Sequence, residues 1–331
     1  MPQQNNSAEQ PSNPSRRQFL KDFTKALFVG TGVAVLGTDV LASDKKKIEN
    51  DQEVRKMENP RLSKMPDHNM PDGFERKHVY SEIKGKKTNI ASVFYFEKGK
   101  AHAYFISNDN HPECFPNKVN YQKVEEVLQK DNKELVVAFA GAYRSLSGNI
   151  EGKAFEKGKF VGEDKYSKWH GFVYITKNGD IEMHRMKDLQ GNFDQKKADD
   201  LIARVVSEKG SVYQQIPAIW NGVQKFEPSK TGLYEMRAIC ESKDGKKFVI
   251  NCTEKITQDE FLKMCLNLKD ETGNPAVYNL MLTDTGECSL GVFRDKNQIE
   301  SDKKNHSFTN MPMVDESWEQ KGFTNIVALT N

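Results

Sequence analysis

The sequence lacks several features that would place it in a large class of proteins at once. No apolar run reaches the roughly 20 residues that a membrane-spanning helix needs. Neither charge dominates, since 49 Lys and Arg stand against 47 Asp and Glu and the formal net charge is +2. A near-neutral chain produces no field that would gather nucleic acid. We therefore expect no nucleic-acid partner.

Recognisable cofactor motifs are also missing. The sequence contains no phosphate-binding glycine loop, no paired-histidine spacing and no Gly-x-Ser-x-Gly elbow. Its five cysteines cannot all pair within one chain, and their spacing fits no zinc site built from two close Cys-x-x-Cys pairs. We expect most of them to be buried in the core. The sequence predicts no particular cofactor and leaves a divalent metal open.

The N-terminal segment has the pattern of an export signal. Residues 15–21 (SRRQFLK) resemble the twin-arginine signal, with Arg16 and Arg17 as the paired arginines. A short apolar run over 26–41 and a small residue at 42 follow. The resemblance implies that residues 1–42 are a signal peptide, read by the twin-arginine translocase, which exports folded proteins to the periplasm or cell exterior of a bacterium. No stable membrane span is expected after cleavage; the alternative is an uncleaved anchor.

After the signal, a polar lead-in precedes one domain. Residues 43–75 are rich in charged residues and poor in large apolar ones, which predicts a linker or extended lead-in. Residues 76–331 are predicted to form a single α+β domain, a mixed β-sheet of hairpins with a few packing helices. Three hairpins are predicted, from strand pairs 89–97 with 102–107, 171–176 with 180–185, and 234–241 with 247–253.

Helices are predicted over 120–130, over 193–209 and after Thr257, which begins a capping box with Glu260. Buried strands are predicted over 135–140 and 276–283, a further strand over 288–294, and an exposed loop over 295–310. In the third hairpin, a two-residue turn at Asp244-Gly245 would place Cys252 opposite Arg237.

The order of these elements resembles the phosphodiester glycosidase family over about residues 88–295. The resemblance rests on a set of short segments in order: Phe139-Ala140-Gly141-Ala142-Tyr143, Gly152, Gly179, Asn221-Gly222, Arg237-Ala238-Ile239 and Thr283-Asp284-Thr285-Gly286-Glu287-Cys288-Ser289. The chain departs from the family pattern at Phe139 and Ala140, where the family has Asn-Gly, and at Thr285 and Cys288, where it has Gly and Ser.

The residues and the resemblance together give a set of candidate site residues, most of them with a plainer alternative. Asp284 and Glu151 are the candidate catalytic carboxylates, and the candidate substrate-binding residues are Arg237, Arg144, Gly141, Tyr143, Gly152, Asn221 and Ser289. Arg237 would bind an anion because a guanidinium suits bidentate phosphate contact. The alternatives are turns for Asp284, Asn221 and the glycines, a structural ion pair for Arg237, and solvated loop positions for Arg144 and Glu151.

Three functions remain open on these grounds. The first is an exported hydrolase that cleaves a sugar phosphodiester or an envelope polysaccharide linkage, with a carbohydrate or sugar-phosphate ligand. The second is a catalytically degenerate protein of the same fold that binds carbohydrate or another envelope component. The third is a metal-dependent hydrolase, for which the sequence shows no ligand cluster.

Overall fold

The computed structural model describes residues 57–331 except 117, 146–147, 189, 285–290, 306 and 314–323. The strands are β1 (Glu58–Leu62), β2 (Phe74–Ile83), β3 (Lys86–Phe96), β4 (His102–Ser107), β5 (Leu135–Ala140), β6 (Phe155–Glu156), β7 (Lys159–Phe160), β8 (Gly171–Ile175), β9 (Ile181–Arg185), β10 (Ser211–Trp220), β11 (Val223–Gln224), β12 (Arg237–Glu241), β13 (Lys247–Cys252), β14 (Asn279–Leu282), β15 (Gly291–Phe293), β16 (Met311–Pro312) and β17 (Asn325–Thr330). The helices are α1 (Tyr121–Gln129), α2 (Gln195–Glu208), α3 (Gln258–Asn267), α4 (Lys296–Asn305) and a 3₁₀ turn at Pro112–Cys114.

Two antiparallel sheets stack face to face and carry helices on their outer sides. Across the described residues, the larger sheet has the order β1-β2-β3-β13-β12-β14-β10-β6-β7, with β8, β9 and β11 attached to β10 or β8, and the smaller sheet has the order β16-β15-β5-β17-β4. The apolar cluster between them includes Phe94, Phe105, Phe139 and Met281. The predicted α+β fold is confirmed, as two stacked sheets.

Each outer face is closed by a helix. Phe261 and Cys265 of α3 pack against the larger sheet, and Val124 and Leu128 of α1 pack against the smaller one. A further cluster joins α2 to β8 and β10. The apolar positions of these helices recur at spacings of three or four residues, which puts them on the side that faces the sheet.

Local sequence signals placed several elements correctly. The hairpin of β8 and β9 forms with Ile175 opposite Ile181. Helix α2 lies within the predicted range and is capped by Asp194, whose side chain accepts from the Lys197 N–H. The capping box between Thr257 and Glu260 is present at the start of α3.

The predicted hairpin of 89–97 with 102–107 is wrong. Strand β3 pairs with β2 and β13 in the larger sheet, whereas β4 pairs with β17 in the smaller one. The chain therefore crosses between sheets at residues 97–101. Strand β1 lies within the predicted lead-in and pairs with β2, so the larger sheet begins before residue 76.

The predicted exposed loop at 295–310 is also wrong, because residues 296–305 form α4. The buried guanidinium of Arg294 anchors this helix by donating to Glu125 at 3.1 Å and to Asp302 at 2.8 Å. Asp302 in turn accepts from the Thr309 N–H at 2.8 Å. A segment with few apolar residues is thus held by a buried ion-pair network.

Cys114, Cys240, Cys252 and Cys265 are buried and unpaired, as expected for core cysteines. Cys288 and the predicted signal at residues 1–42, with Arg16 and Arg17, lie outside the described residues. Among the helices that the structure describes, none has the length and apolar character to cross a membrane.

Candidate functional site

The two sheets are joined at one end by the carbonyl of Gly141, directly after β5. This oxygen accepts from Gln215 Nε2 on β10 at 2.6 Å and from the Asp284 N–H after β14 at 3.1 Å. A Cβ on residue 141 would lie 2.7 Å from Asn325 Oδ1, so only glycine permits this approach. The structure therefore brings Gly141 and Asp284 together.

Arg237 lies beside this junction because β12 pairs with β14, and the register of β12 with β13 differs from the predicted one. A three-residue loop, in which Gly245 has φ +84°, replaces the two-residue turn and places Arg237 opposite Asn251. The Arg237 Nε donates to Asn251 Oδ1 at 2.7 Å. The Thr283 N–H donates to the Arg237 carbonyl at 3.2 Å, which fixes Asp284 next to the arginine strand.

The Arg237 guanidinium is completely buried, with 0% of the residue exposed. Burial lowers the pKa of Arg237 to about 10, although its interactions with Glu235, Tyr121 and Asp284 act to raise it. A Cβ on Gly291 would lie 2.9 Å from Arg237 Nη2, so a glycine of β15 makes room for the guanidinium. Arg237 therefore has no exposed surface with which to contact a ligand as the predicted clamp.

We call Gln215, Arg237, Asn251, Thr283 and Asp284 the arginine cluster. All five are buried, and Asp284 is 9% exposed. Among the described residues, Gln215 Oε1 and Thr283 Oγ1 have no hydrogen-bond partner. Because Ile216 pairs with Leu282, these two side chains lie on neighbouring strands. Buried polar atoms of this kind commonly bind an ordered water or a ligand. Ser289 lies outside the described residues.

The loop after Gly141 is held in place by Asn325 at the start of β17. Asn325 Oδ1 accepts from the Ala142 N–H at 2.7 Å, and its Nδ2 donates to the Ala142 carbonyl at 3.2 Å. Arg144 folds back within the loop, where its Nε donates to the Gly148 carbonyl at 3.1 Å. The Tyr143 carbonyl accepts from the Glu151 N–H at 2.8 Å, which brings Glu151 back to the Gly141 end.

Glu151 is the second carboxylate at this end of the molecule. Burial raises its pKa, and Glu163 adds to this, while the charge of Lys168 and an interaction with the Trp169 indole oppose it. The Trp169 ring lies 6.3 Å from the Tyr143 ring. A half-buried carboxyl with a raised pKa has the character of a general acid.

Position 152 requires glycine for two reasons, its positive φ angle and the close approach of a neighbouring side chain. Its φ is +78°, and a Cβ there would lie 2.4 Å from Gln214 Oε1. That oxygen accepts from the Lys153 N–H at 3.0 Å and from the Ser167 N–H at 2.9 Å. Gly152 thus allows Gln214 to tie together the two loops that carry Glu151 and Trp169.

Asn221 is not brought to this site. It forms a tight turn between β10 and β11 with Gly222, and its N–H donates to Asn279 Oδ1 at 2.9 Å. Asn279 begins β14 and Asp284 follows its end, so the two predicted residues lie at opposite ends of one strand. The turn alternative fits the position of Asn221, and we leave this residue out of the site.

Sequence reasoning missed the amides that hold the site. Gln214 and Gln215 interrupt an otherwise apolar strand, as do Asn251 in β13 and Asn325 at the start of β17. A polar residue inside an apolar strand costs free energy unless it is hydrogen-bonded, and that is the signal that would have found them. In the described part of the chain, no group of three or more His, Cys, Asp or Glu side chains is placed to hold a metal.

Comparisons with known proteins give no family assignment for the chain. No known protein family matches the sequence, and no curated protein matches it. The catalytic domain of zebrafish N-acetylglucosamine-1-phosphodiester alpha-N-acetylglucosaminidase, auto-inhibited by pro-peptide, is similar in structure with a TM-score of 0.47 and 11% identity, over 82% of this chain and 88% of that chain. A hypothetical protein from Synechocystis has a TM-score of 0.44 and 8% identity, over 82% and 68% of the two chains. These values establish neither a family nor an activity for the chain.

Proposed function

We propose that the chain is an exported hydrolase that cleaves a sugar phosphodiester or a related envelope polysaccharide linkage. The observation that carries the proposal is the hydrogen bond from the Asp284 N–H to the Gly141 carbonyl. It joins the two segments on which the sequence resemblance mainly rests, although they are far apart in the chain. The proposal includes export by the twin-arginine translocase and function in the periplasm or at the cell exterior.

Two carboxylates in different surroundings suit the chemistry of glycoside cleavage. Glu151, whose burial raises its pKa, is proposed to donate a proton to the leaving oxygen as the bond from the anomeric carbon breaks. Water supplies the hydroxyl group that the anomeric carbon gains, and Asp284 accepts the proton that this water loses. A phosphodiester leaving group departs readily, so part of the rate comes from binding its negative charge.

Arg237 is proposed to position Asp284 rather than to touch the substrate. Its guanidinium is buried, and it interacts electrostatically with the Asp284 carboxylate. Opposite charges in a buried setting stabilise each other more than they do in water. The arginine therefore favours an ionised, fixed Asp284, which a proton acceptor requires.

A direct assay tests this function. The purified protein is incubated with an N-acetylglucosamine-1-phosphodiester, with and without divalent cations, and free sugar is measured. We expect turnover by the wild type, and a loss of about 10²- to 10⁴-fold in Asp284→Asn and Glu151→Gln, the range for removing a proton-transfer group. Asp200→Asn changes an exposed carboxylate of α2 and should retain full activity.

The second candidate is a carbohydrate-binding protein without catalytic activity. It is favoured by the complete burial of Arg237 and by Phe139 and Ala140 at positions where the family has Asn-Gly. Such a protein would be stabilised by glycan, with a raised Tm, and would release no sugar. Absence of turnover in folded wild type, together with a Tm shift, would replace the first proposal with this one.

A further inference from the structure

A row of polar side chains crosses the larger sheet on the face that meets the smaller sheet. The strand order and register place five residues in this row: Ser92 in β3, Asn251 in β13, Arg237 in β12, Thr283 after β14 and Gln215 in β10. Each of them is 0% exposed, and the side chains two residues further along the same segments belong to the apolar cluster between the sheets. We call these five residues the polar row.

The Gln215 side chain is only half satisfied by the protein. Its Nε2 donates to the Gly141 carbonyl at 2.6 Å. Because a carbonyl can only accept, this contact fixes the orientation of the amide and leaves Oε1 as the atom that has no partner among the described residues. The neighbouring Gln214 shows the contrast, since its Oε1 accepts from two backbone N–H groups and its Nε2 donates to the Trp169 carbonyl at 2.7 Å.

The second unsatisfied atom of the polar row lies next to the first. Within the described part of the chain, Thr283 Oγ1 has no hydrogen-bond partner. Ile216 pairs with Leu282, so the register continued by one residue sets Thr283 opposite Gln215. Residues opposite each other on antiparallel strands have Cβ atoms about 4.5–5.5 Å apart. A hydroxyl and an amide oxygen at that separation suit one bridging water, and leaving both without a partner would cost free energy.

The same two residues hold the backbone of Asp284. The Gly141 carbonyl that accepts from Gln215 Nε2 also accepts from the Asp284 N–H, at 3.1 Å. Thr283 directly precedes Asp284, and its own N–H donates to the Arg237 carbonyl at 3.2 Å. A water that joins Gln215 to Thr283 would therefore connect the two supports of Asp284.

We propose that Gln215 Oε1 and Thr283 Oγ1 bind one ordered water molecule, and that through it both side chains act as positioning residues for Asp284. The water donates to the amide oxygen and shares a hydrogen bond with the hydroxyl, so both buried groups are satisfied. The water site rests on the hydrogen bonds and the register alone. The positioning role rests on the proposed function, in which the Asp284 carboxylate must stay in one place to accept a proton.

A crystal structure of the wild type tests the water site directly and requires no variant to fold. We expect a water oxygen about 2.6–3.2 Å from both Gln215 Oε1 and Thr283 Oγ1. A direct hydrogen bond between the two side chains would overturn the proposal, and so would a dry space between them.

Thermal unfolding of Thr283→Val distinguishes a bound water from an unpartnered hydroxyl by the sign of the change. Valine has nearly the shape of threonine but carries no hydroxyl. If the water is bound, the substitution removes one of its partners, and Tm should fall by about 2–6 °C. If no water is bound, loss of an unpaired buried hydroxyl should raise Tm. Thr231→Val, at an exposed position between β11 and β12, should leave Tm unchanged. A raised or unchanged Tm in Thr283→Val would reject the water site.

Turnover then separates this proposal from the proposed function. Thr283→Val should lower kcat by up to about 10²-fold at an unchanged KM, because a displaced reacting group slows the chemistry without weakening substrate binding. Thr283→Ser keeps the hydroxyl and should recover most of kcat. Wild-type kcat in Thr283→Val, or equal loss in both variants, would retain the hydrolase and reject the positioning role. A bound water and a lowered Tm without sugar release by the wild type would retain the water site and reject the hydrolase.

Discussion

Replacing Arg237 by methionine tests how the arginine cluster is held together. Methionine is of comparable length, but it cannot donate to Asn251 Oδ1 and carries no charge to set against Asp284. Loss of a hydrogen bond from a charged group costs about 1.5–3 kcal/mol. Breaking a buried charge pair by removing one partner costs about 3–5 kcal/mol in total, because the remaining groups stay buried. We expect Arg237→Met to lower the free energy of unfolding by about 3–5 kcal/mol.

Equilibrium urea unfolding measures this change through the midpoint, provided that the slope m is unchanged. The matched control is Arg61→Met, at an exposed position of β1, which should change stability by no more than about 0.5 kcal/mol. The double variant Arg237→Met with Asp284→Asn should be more stable than the sum of the single effects predicts, by about 0.5–3 kcal/mol. The reason is that it removes the Asp284 carboxylate that Arg237→Met alone leaves without its opposing charge, while Glu235 is left in the same state in both variants.

Two results would refute this reasoning. A loss below about 1 kcal/mol in Arg237→Met would show that the burial cost of the guanidinium already cancels its interactions. Additive effects in the double-variant cycle would show that Arg237 and Asp284 are not coupled, and the positioning role proposed for Arg237 would then fail.

Three further predictions concern titratable groups. Because burial raises the pKa of Glu151, kcat/KM should fall as pH rises through that value, and Glu151→Gln should lack this limb; a limb that persists in the variant contradicts the assignment. A hydrogen bond to Glu156, 3.0 Å away, raises the pKa of His111 above its usual 6.5, so the pair stabilises the fold fully below that pH and less as pH rises through the raised pKa. The stability difference between wild type and His111→Gln in urea should therefore narrow with increasing pH, and a constant or widening difference would count against the pair. The four buried cysteines should resist a thiol reagent in native Cys288→Ser protein and react after unfolding, and rapid labelling of the native protein would disprove their burial.

Local signals predicted those elements that depend on nearby residues. Three features each arise within a few residues of chain: the turn between β8 and β9, the apolar face of α2 and the capping box of α3. Composition and spacing are therefore enough to predict them. The pairing of β4 with β17 depends on residues that are far apart in the chain. No local pattern contains that information, so the local sequence predicts a single hairpin from β3 and β4.

Two other errors have different physical causes. The register of β12 and β13 depends on the length of the turn between them. Because the loop has one residue more than predicted, the residue opposite Arg237 is Asn251 instead of Cys252. Helix α4 has few apolar residues and reads as a loop, yet Arg294, Glu125 and Asp302 give it a buried anchor. An ion-pair network between distant segments cannot be read from composition.

The site was partly predictable because strand ends meet at the edges of sheets. The resemblance named Gly141, Arg237 and Asp284, which lie at strand ends of one junction, but it also named Asn221, which lies at the opposite end of β14. It also could not show that Arg237 is covered, since burial depends on β15 and the smaller sheet.

The adjacent side-chain amides of Gln214 and Gln215 connect the segments that form the candidate site. Successive residues of a strand point to opposite faces. Gln215 therefore reaches the Gly141 carbonyl between the sheets, while Gln214 reaches the Lys153 and Ser167 amides on the other face. One dipeptide of β10 thus holds both the junction that carries Asp284 and the loops that carry Glu151 and Trp169. The spacing between the two candidate carboxylates is set by a rigid central strand, and rigid strands position reacting groups more accurately than loops do.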